Sequence, residues 1–289
     1  MNNIDQSLRP YFGYIGSKYS LRDQLIARMP PEAMTCYCEV FAGGLGLYLA
    51  KPKARLNIVN DLDADVVNTH VAVAGMPEQV MSALSKLRPS RLSFNRLRDL
   101  RGSQRWYDLN EAGRAASFIY LAKCSVNANM RSFSNSTKAR STFNPGLDLR
   151  PYSAKFDGVT FENLDWRELL NRLVCKPTEF TLFLYCDAPY VTSDSEKHYR
   201  FNFNTVEHLM LARTLAQVNK SNDGDRRNAK IMVSYDDDPD GFIRSLYRPE
   251  HGWWLETIDV RYGSEHRANR CRSELLIMNY DPASVSPQK

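Results

Sequence analysis

The stretch Phe180 to Tyr190, FTLFLYCDAPY, decides the fold. Its first part, Phe180 to Cys186, is a continuous apolar run, the pattern of a strand buried on both faces of a parallel sheet. The next four residues, Asp187-Ala188-Pro189-Tyr190, switch to an acid, a stiff turn and an aromatic. Open parallel sheets bind ligands beyond the carboxyl ends of their strands, so this turn stands where chemistry is expected.

Working outward, Thr35 to Val40 reads as a short buried strand, followed by a Gly-rich turn and a helical LGLYLA segment, Leu45 to Ala50. Leu56 to Val59 is the next strand, with Asn60-Asp61 at its carboxyl end. Ser20-Leu21-Arg22-Asp23 predicts a capped helix start, closed by Pro30-Pro31. Thr205 is the expected cap of a helix whose Leu211, Leu215 and Val218 share one face; Ile231 to Tyr235 and Ser273 to Tyr280 read as further strands. Strands alternating with helices predict an α/β fold with a doubly wound, mostly parallel sheet. Residues 70–155 differ in character, being basic and helical. The expected division is therefore 1–69 with 156–289 as one catalytic unit and 70–155 as an inserted helical domain.

Charge supports that division. Residues 86–155 hold 14 lysines and arginines against four acids, a net +10 in a chain of +5 overall, so the remainder carries −5. A basic segment on an acidic protein points to nucleic acid, and the plain alternative is a solvated helical face. No run approaches the roughly 20 apolar residues that span a bilayer, and the N-terminus lacks a secretion signal. A cytoplasmic protein with free thiols is expected, because the six cysteines, Cys36, Cys38, Cys124, Cys175, Cys186 and Cys271, show no metal-ligand spacing.

The turn after the buried strand contains the parts that methylation of an exocyclic amine needs. Adenine's amine nitrogen is a poor nucleophile because its lone pair is delocalised into the ring. An acid and a backbone carbonyl that accept its two N–H bonds direct that lone pair outward. A proline fixes the turn and an aromatic stacks on the base, with stacking worth roughly 1–3 kcal/mol per base. Asp187, the carbonyl of Ala188, Pro189 and Tyr190 supply these in order. Taken alone, such a tetrapeptide is equally an ordinary strand-to-loop turn. Gly43, Gly44 and Gly46 suit close approach of a cofactor, and Asp61 follows Gly46 by 15 residues, where such folds accept ribose hydroxyls. A nicotinamide cofactor competes for this pattern, but Leu49 stands where G-x-G-x-x-G needs its third glycine.

Together with the flanking segments, this pattern resembles the DNA adenine methylase (Dam-like) family, whose signature is DPPY after an apolar strand. Tyr14-Ile15-Gly16-Ser17-Lys18 resembles its N-terminal cofactor motif, and Glu39-Val40-Phe41-Ala42-Gly43-Gly44 resembles its E-x-F-x-G loop. Asn60-Asp61, Asn163-Leu164-Asp165-Trp166 and the closing strand from Ser273 to Ile277 follow in the family's order. The resemblance implies a Rossmann-like methyltransferase fold, S-adenosylmethionine as cofactor, and methylation of adenine N6 in duplex DNA after base flipping, without metal. It implies cofactor contacts at Tyr14, Gly16, Lys18, Glu39, Phe41, Gly43, Asp61, Asp165, Trp166 and Asp187. Asp165 is equally suited to capping the helix that begins at Trp166. Phe118 to Arg131, with Phe143-Asn144-Pro145, resembles the target-recognition hairpin. There Asn127, Asn129 and Arg131 are implied at the DNA, with Arg131 reading a base. Lys123, Lys138 and Arg140 would neutralise phosphates. A cognate restriction endonuclease is a further partner in keeping with the resemblance.

The chain departs from the family at Ala188, which replaces a proline, at Leu45, where a small residue is usual, and at Val126, Ala128 and Asn129. The last three put the common GATC target in doubt. The first two leave room for a DNA-binding homologue that has lost catalysis, and an RNA or protein amide substrate is a third alternative.

Overall fold

The computed structural model describes residues 8–135, 143–174, 181–190, 203–220, 229–237, 240–260 and 272–285. Seven strands form one sheet: β1 Cys36–Glu39, β2 Leu56–Asn60, β3 Val159–Glu162, β4 Leu182–Cys186, β5 Ala229–Asp236, β6 Trp254–Val260 and β7 Arg272–Met278. Their order is β3-β2-β1-β4-β5-β7-β6. The first five are parallel to their neighbours, and β7 runs antiparallel between β5 and β6. The mostly parallel α/β sheet is thus the observed fold. β4 is buried throughout, as its unbroken apolar run requires, and β1 is buried throughout beside it. β3 and β6 carry no such run, and sequence reading passed them over.

Nine helices accompany the sheet among the described residues: α1 Arg22–Ile26, α2 Ala64–Gly75, α3 Pro77–Ser85, α4 Arg91–Arg101, α5 Glu111–Cys124, α6 Arg150–Phe156, α7 Trp166–Val174, α8 Thr205–Lys220 and α9 Phe242–Leu246. β1 ends in the buried acid Glu39, so its burial is not set by an apolar run alone. Strand alternation sends Tyr37, Phe183, Tyr185 and Met232 to one face, where they share a core with α2, α5 and α6. Cys38, Leu184, Val233 and Ile277 point to the other, against α7, α8 and α9. Helices of the 70–155 segment therefore build one of the two helical layers and share its core with the sheet. α2 and α6 run across the borders expected at residues 69/70 and 155/156. The segment's separate role as a DNA-reading unit remains a functional proposal.

Local expectations are corrected in three places. Leu45 to Ala50 forms successive turns, not a helix; Leu45 itself is left-handed (φ 54°). The Ser20 start is a 3-10 turn, Lys18–Leu21, leading into α1 without a side-chain cap. Asn204, not Thr205, caps α8: its Oδ1 accepts from the Glu207 amide at 3.1 Å. Cys36, Cys38, Cys124 and Cys186 are buried and free, whereas Cys175 and Cys271 lie outside the described residues. No helix among the described residues is long and apolar enough to cross a membrane.

The start of α2 is fixed electrostatically. Asp63 caps it through the Asp65 amide at 3.0 Å. Arg101 of α4 then bridges both acids, to Asp63 at 3.0 Å and Asp65 at 2.8 Å, while Trp106 donates to Asp65 at 2.6 Å. Both carboxylates are buried, so removing the guanidinium strands two charges in a poorly solvated place. Arg101→Met is expected to destabilise the fold by about 3–5 kcal/mol, read as a lowered denaturation midpoint; an unchanged midpoint would show that the bridge is dispensable.

Candidate active site

The cleft opens at the carboxyl ends of β1, β2 and β4. Asn60, at the end of β2, ties its walls together: its amide donates to the carbonyls of Val40 (3.0 Å) and Leu164 (3.1 Å), and its Oδ1 accepts from the Leu164 amide (2.9 Å). About 1120 Å³ of space, including the open mouth, is lined by Tyr14, Gly16, Lys18, Glu39, Phe41, Gly43, Asp61, Trp166 and Asp187, all expected from sequence. Pro189 joins them.

The loop Ala42–Gly46 is held from both sides. The Gly43 amide donates to Asp61 Oδ2 at 2.8 Å, and its carbonyl meets His70 Nε2 at 2.8 Å. The Tyr11 hydroxyl bonds the other nitrogen of His70. Burial keeps His70 neutral by lowering its pKa to about 4. Burial also pushes Asp61 up to about 6, against the amides of Asp63 and Gly43 that favour its charge, and Glu39 up to about 8, held back by the Tyr37 hydroxyl at 2.8 Å.

The glycines line the cleft and also face the chain itself. A Cβ on Gly43 (φ 46°) would lie 2.7 Å from the Tyr14 ring, and one on Gly46 would lie 2.7 Å from Ser17 Oγ and 2.9 Å from the Tyr19 amide. They make room for the chain's own Tyr14–Tyr19 segment, and that segment delivers Lys18.

Lys18 is the hub of the polar end. Its ammonium donates to Asp187 Oδ1 at 2.5 Å and to the Gly16 carbonyl at 3.0 Å, sits 3.4 Å from Glu274 Oε1, and lies 4.6 Å from the centre of the Tyr190 ring. Ser234 Oγ donates to the same Asp187 Oδ1 at 3.1 Å. Asp187 Oδ2 and the carbonyl of Ala188 carry no hydrogen bond among the described residues. Burial raises the Asp187 carboxyl above its ordinary value, and Lys18 and Ser234 partly oppose that rise. Glu274, raised to about 7 mainly by burial, accepts from the Tyr190 hydroxyl at 2.6 Å. Tyr190 does not line the cleft itself.

Sequence reading missed Ser234, Glu274, His70 and Glu207. The first two had a signal: a polar residue interrupting an apolar strand, on the face that alternation turns toward Asp187. Glu207, which lines the cleft and pairs with Arg167 at 2.5 Å, had none. Asp165 accepts from the Arg167 amide at 2.9 Å and its guanidinium at 3.0 Å, capping α7, and is not among the residues that line the cleft. The cleft is lined instead by its neighbours Leu164 and Trp166.

A second hollow adjoins the first and shares Tyr14, Ile15 and Asp63 with it; Arg98, Asn129 and Arg131 line its far side. It abuts a hairpin in which the Val126 amide donates to Ser132 (2.9 Å) and the Ser134 amide to Cys124 (2.8 Å). Asn127 and Arg131 are exposed on this hairpin. Asn129 spends its carbonyl on the amides of Arg131 (2.9 Å) and Ser132 (3.2 Å). Lys123 is half-buried, and that burial lowers its pKa. Lys138 and Arg140 lie outside the described residues.

A profile of the D12 class N6 adenine-specific DNA methyltransferases matches residues 14–258. The chain belongs to this family. It is therefore an N6 adenine-specific DNA methyltransferase by family, acting on DNA with a methyl donor. The solved structure of HI0767 from Haemophilus influenzae, described as a candidate methylase, aligns over 91% of this chain and 96% of its own at 15% identity, with a TM-score of 0.34. No curated protein matches the chain.

Gly46→Ala is expected to push the Lys18 segment away from the cleft, because the Tyr19 backbone amide cannot yield 2.9 Å of space cheaply. Calorimetric titration with the methyl donor should then show at least about tenfold weaker binding, the equivalent of 1.4 kcal/mol. Unchanged affinity would mean that the segment's close approach does not shape the donor site.

Proposed function

We propose that the methyl donor is S-adenosylmethionine and that the acceptor is an adenine extruded from duplex DNA into the space beside Asp187. Acids outnumber bases in the lining of the cleft: Asp61, Asp63, Asp187 and Glu207 face one lysine, Lys18, while Glu39 is mostly protonated near neutral pH. That balance suits a cationic sulfonium donor. Phe41, Leu47, Trp166 and Phe203 supply apolar walls for an adenine ring, and Asp61 is suited to ribose hydroxyls. When bound, the donor would supply an electrophilic methyl group.

The observation that carries the reading is the division of labour at Asp187. Lys18 and Ser234 both hold Oδ1, which fixes the carboxylate and leaves Oδ2 for an amine N–H. The neighbouring Ala188 carbonyl is the second acceptor. Ala188 replaces a proline but keeps that oxygen, so the chemistry retains both its parts. Two fixed acceptors orient the amine lone pair toward the donor, and such positioning carries most of the rate when transition-state charge is dispersed. Tyr190 stacks on the base, with Pro189 shaping the turn. Asn127 and Arg131, exposed on the hairpin, approach the DNA from the side of the second hollow.

Asp187→Ala is expected to lower methyl transfer by about 10³-fold or more while leaving DNA affinity within a few-fold, measured with tritiated donor on unmethylated genomic DNA; retained turnover would remove Asp187 from the chemistry. Asp187 accepts the amine N–H fully only as a carboxylate, and its acidity is weakened by burial. The rate should therefore fall as pH drops toward and through the raised pKa and be flat above it. A rate that rises on acidification would contradict this assignment.

Arg131→Ala should relax the methylated motif, as mapped by sequencing, more than it changes the salt dependence of binding. An unaltered motif would reduce Arg131 to a backbone contact. The mapped motif would also identify the site that a cognate restriction endonuclease in the same cytoplasm has to share.

A further inference from the structure

Glu274 lies near the start of β7, in a strand whose other inward residues are Leu275, Leu276, Ile277 and Met278. Its side chain is only 7% exposed. A buried carboxylate is costly for a fold unless well partnered, and an apolar residue there would serve the sheet better. Packing therefore does not explain Glu274, so its partners must. β7 pairs antiparallel with β5, setting Glu274 opposite Asp236 and two positions along from the register of Ser234 with Leu276. Alternation puts Ser234 and Glu274 on one face of the sheet, beside Asp187. One oxygen, Oε1, accepts the Tyr190 hydroxyl at 2.6 Å and lies 3.4 Å from the Lys18 ammonium.

We propose that Glu274 is a positioning residue for methyl transfer, setting the tilt of the Tyr190 ring through its hydroxyl so that the ring meets the extruded adenine beside Asp187. This rests on the reading of Asp187 and Tyr190 as the base pocket. A tyrosine ring on a loop rotates about its side-chain bonds unless its far end is held. The hydroxyl is that far end, and a short bond to a carboxylate holds it more firmly than one to a neutral acceptor. Lys18 lies against the same ring and is drawn toward the same oxygen, so ring, ammonium and the Asp187 carboxylate are set as one unit. The competing role for Glu274 is simple charge balance for Lys18, which would not involve the Tyr190 hydroxyl.

Full-length Tyr190→Phe, Glu274→Gln, Glu274→Ala and the Tyr190→Phe/Glu274→Ala double variant separate these roles. Each would be assayed for steady-state kcat and KM on a duplex with the mapped motif. Each would also be titrated with the same duplex carrying 2-aminopurine at the target position, whose fluorescence reports extrusion and stacking.

Glu274→Ala and Tyr190→Phe should each lower kcat roughly 10-fold to 100-fold, the scale of a misplaced reacting group. KM for the donor should change little, and both should shift the 2-aminopurine plateau in the same direction. The double variant should be no worse than the poorer single one. Glu274→Gln keeps an acceptor for the hydroxyl and should recover most of the activity. A silent Tyr190→Phe beside an impaired Glu274→Ala, or additive losses in the double variant, would overturn the proposal in favour of charge balance. Wild-type protein that fails to methylate DNA would instead sink the underlying reading, and this inference with it.

Discussion

The Lys18 ammonium is almost wholly buried, and four groups meet it. The Gly16 carbonyl is a near neighbour in the chain, whereas the Asp187 carboxylate, Glu274 and the Tyr190 ring are the distant ones. Such a charge is tolerated inside a protein only when its partners are close and their remaining lone pairs are satisfied. Each requirement adds a constraint. The Tyr14–Tyr19 segment must lie flat on the glycine loop, so positions 43 and 46 cannot carry a side chain there. β7 runs antiparallel beside β5 in a register that sets Glu274 opposite Asp236, on the same face as Ser234. The active site thus draws on the antiparallel edge of the sheet.

A second set of constraints governs the cofactor side. Asp61 and His70 grip opposite ends of the Gly43 peptide, one taking its amide and the other meeting its carbonyl. His70 belongs to α2, whose N-terminus is fixed in turn by Asp63 and the Arg101 bridge. The segment expected to read DNA therefore also braces the cofactor loop, through a helix the two functions share. This explains why the basic character of residues 86–155 overstates the charge offered to DNA. Arg101 is spent on Asp63 and Asp65, Arg150 on Asp148, and Arg98 on Asp99 and the Arg131 carbonyl.

The parts of this arrangement legible in sequence are those with a one-dimensional signature. Buried runs such as Leu182–Cys186 announce central strands, and turn residues directly after them announce the site. The residues that lay hidden act through pairing across the sheet or between helices. Ser234 and Glu274 acquire meaning only once the β5–β7 register is known, and Glu207 only once α8 packs beside Trp166. Asp165 suits two roles in sequence, and the structure shows the local one, a cap on α7 that also meets the Arg167 guanidinium. The glycine loop lines the cleft, and its glycines also admit the chain's own Tyr14–Tyr19 segment, which no local pattern announces.

Two departures from the family pattern also acquire a physical meaning. Leu45 and Ala128, each standing where a small residue or a glycine is usual, adopt left-handed backbone (φ 54° and 58°). Each such residue costs about 1–2 kcal/mol relative to glycine. Leu45 is fully buried in the core, and burying a leucine contributes about 1.5–3 kcal/mol, which offsets its strain within the fold. Ala128 is only partly buried and has one methyl group to set against the same cost. Its neighbours Asn127 and Met130 are left-handed too (φ 51° and 54°), so strain accumulates over four residues of the hairpin that borders the second hollow. Asn129 holds that shape with its side-chain carbonyl. Met130 packs against the core and its sulfur accepts from Arg101 at 3.1 Å, so the fold itself offsets part of this strain.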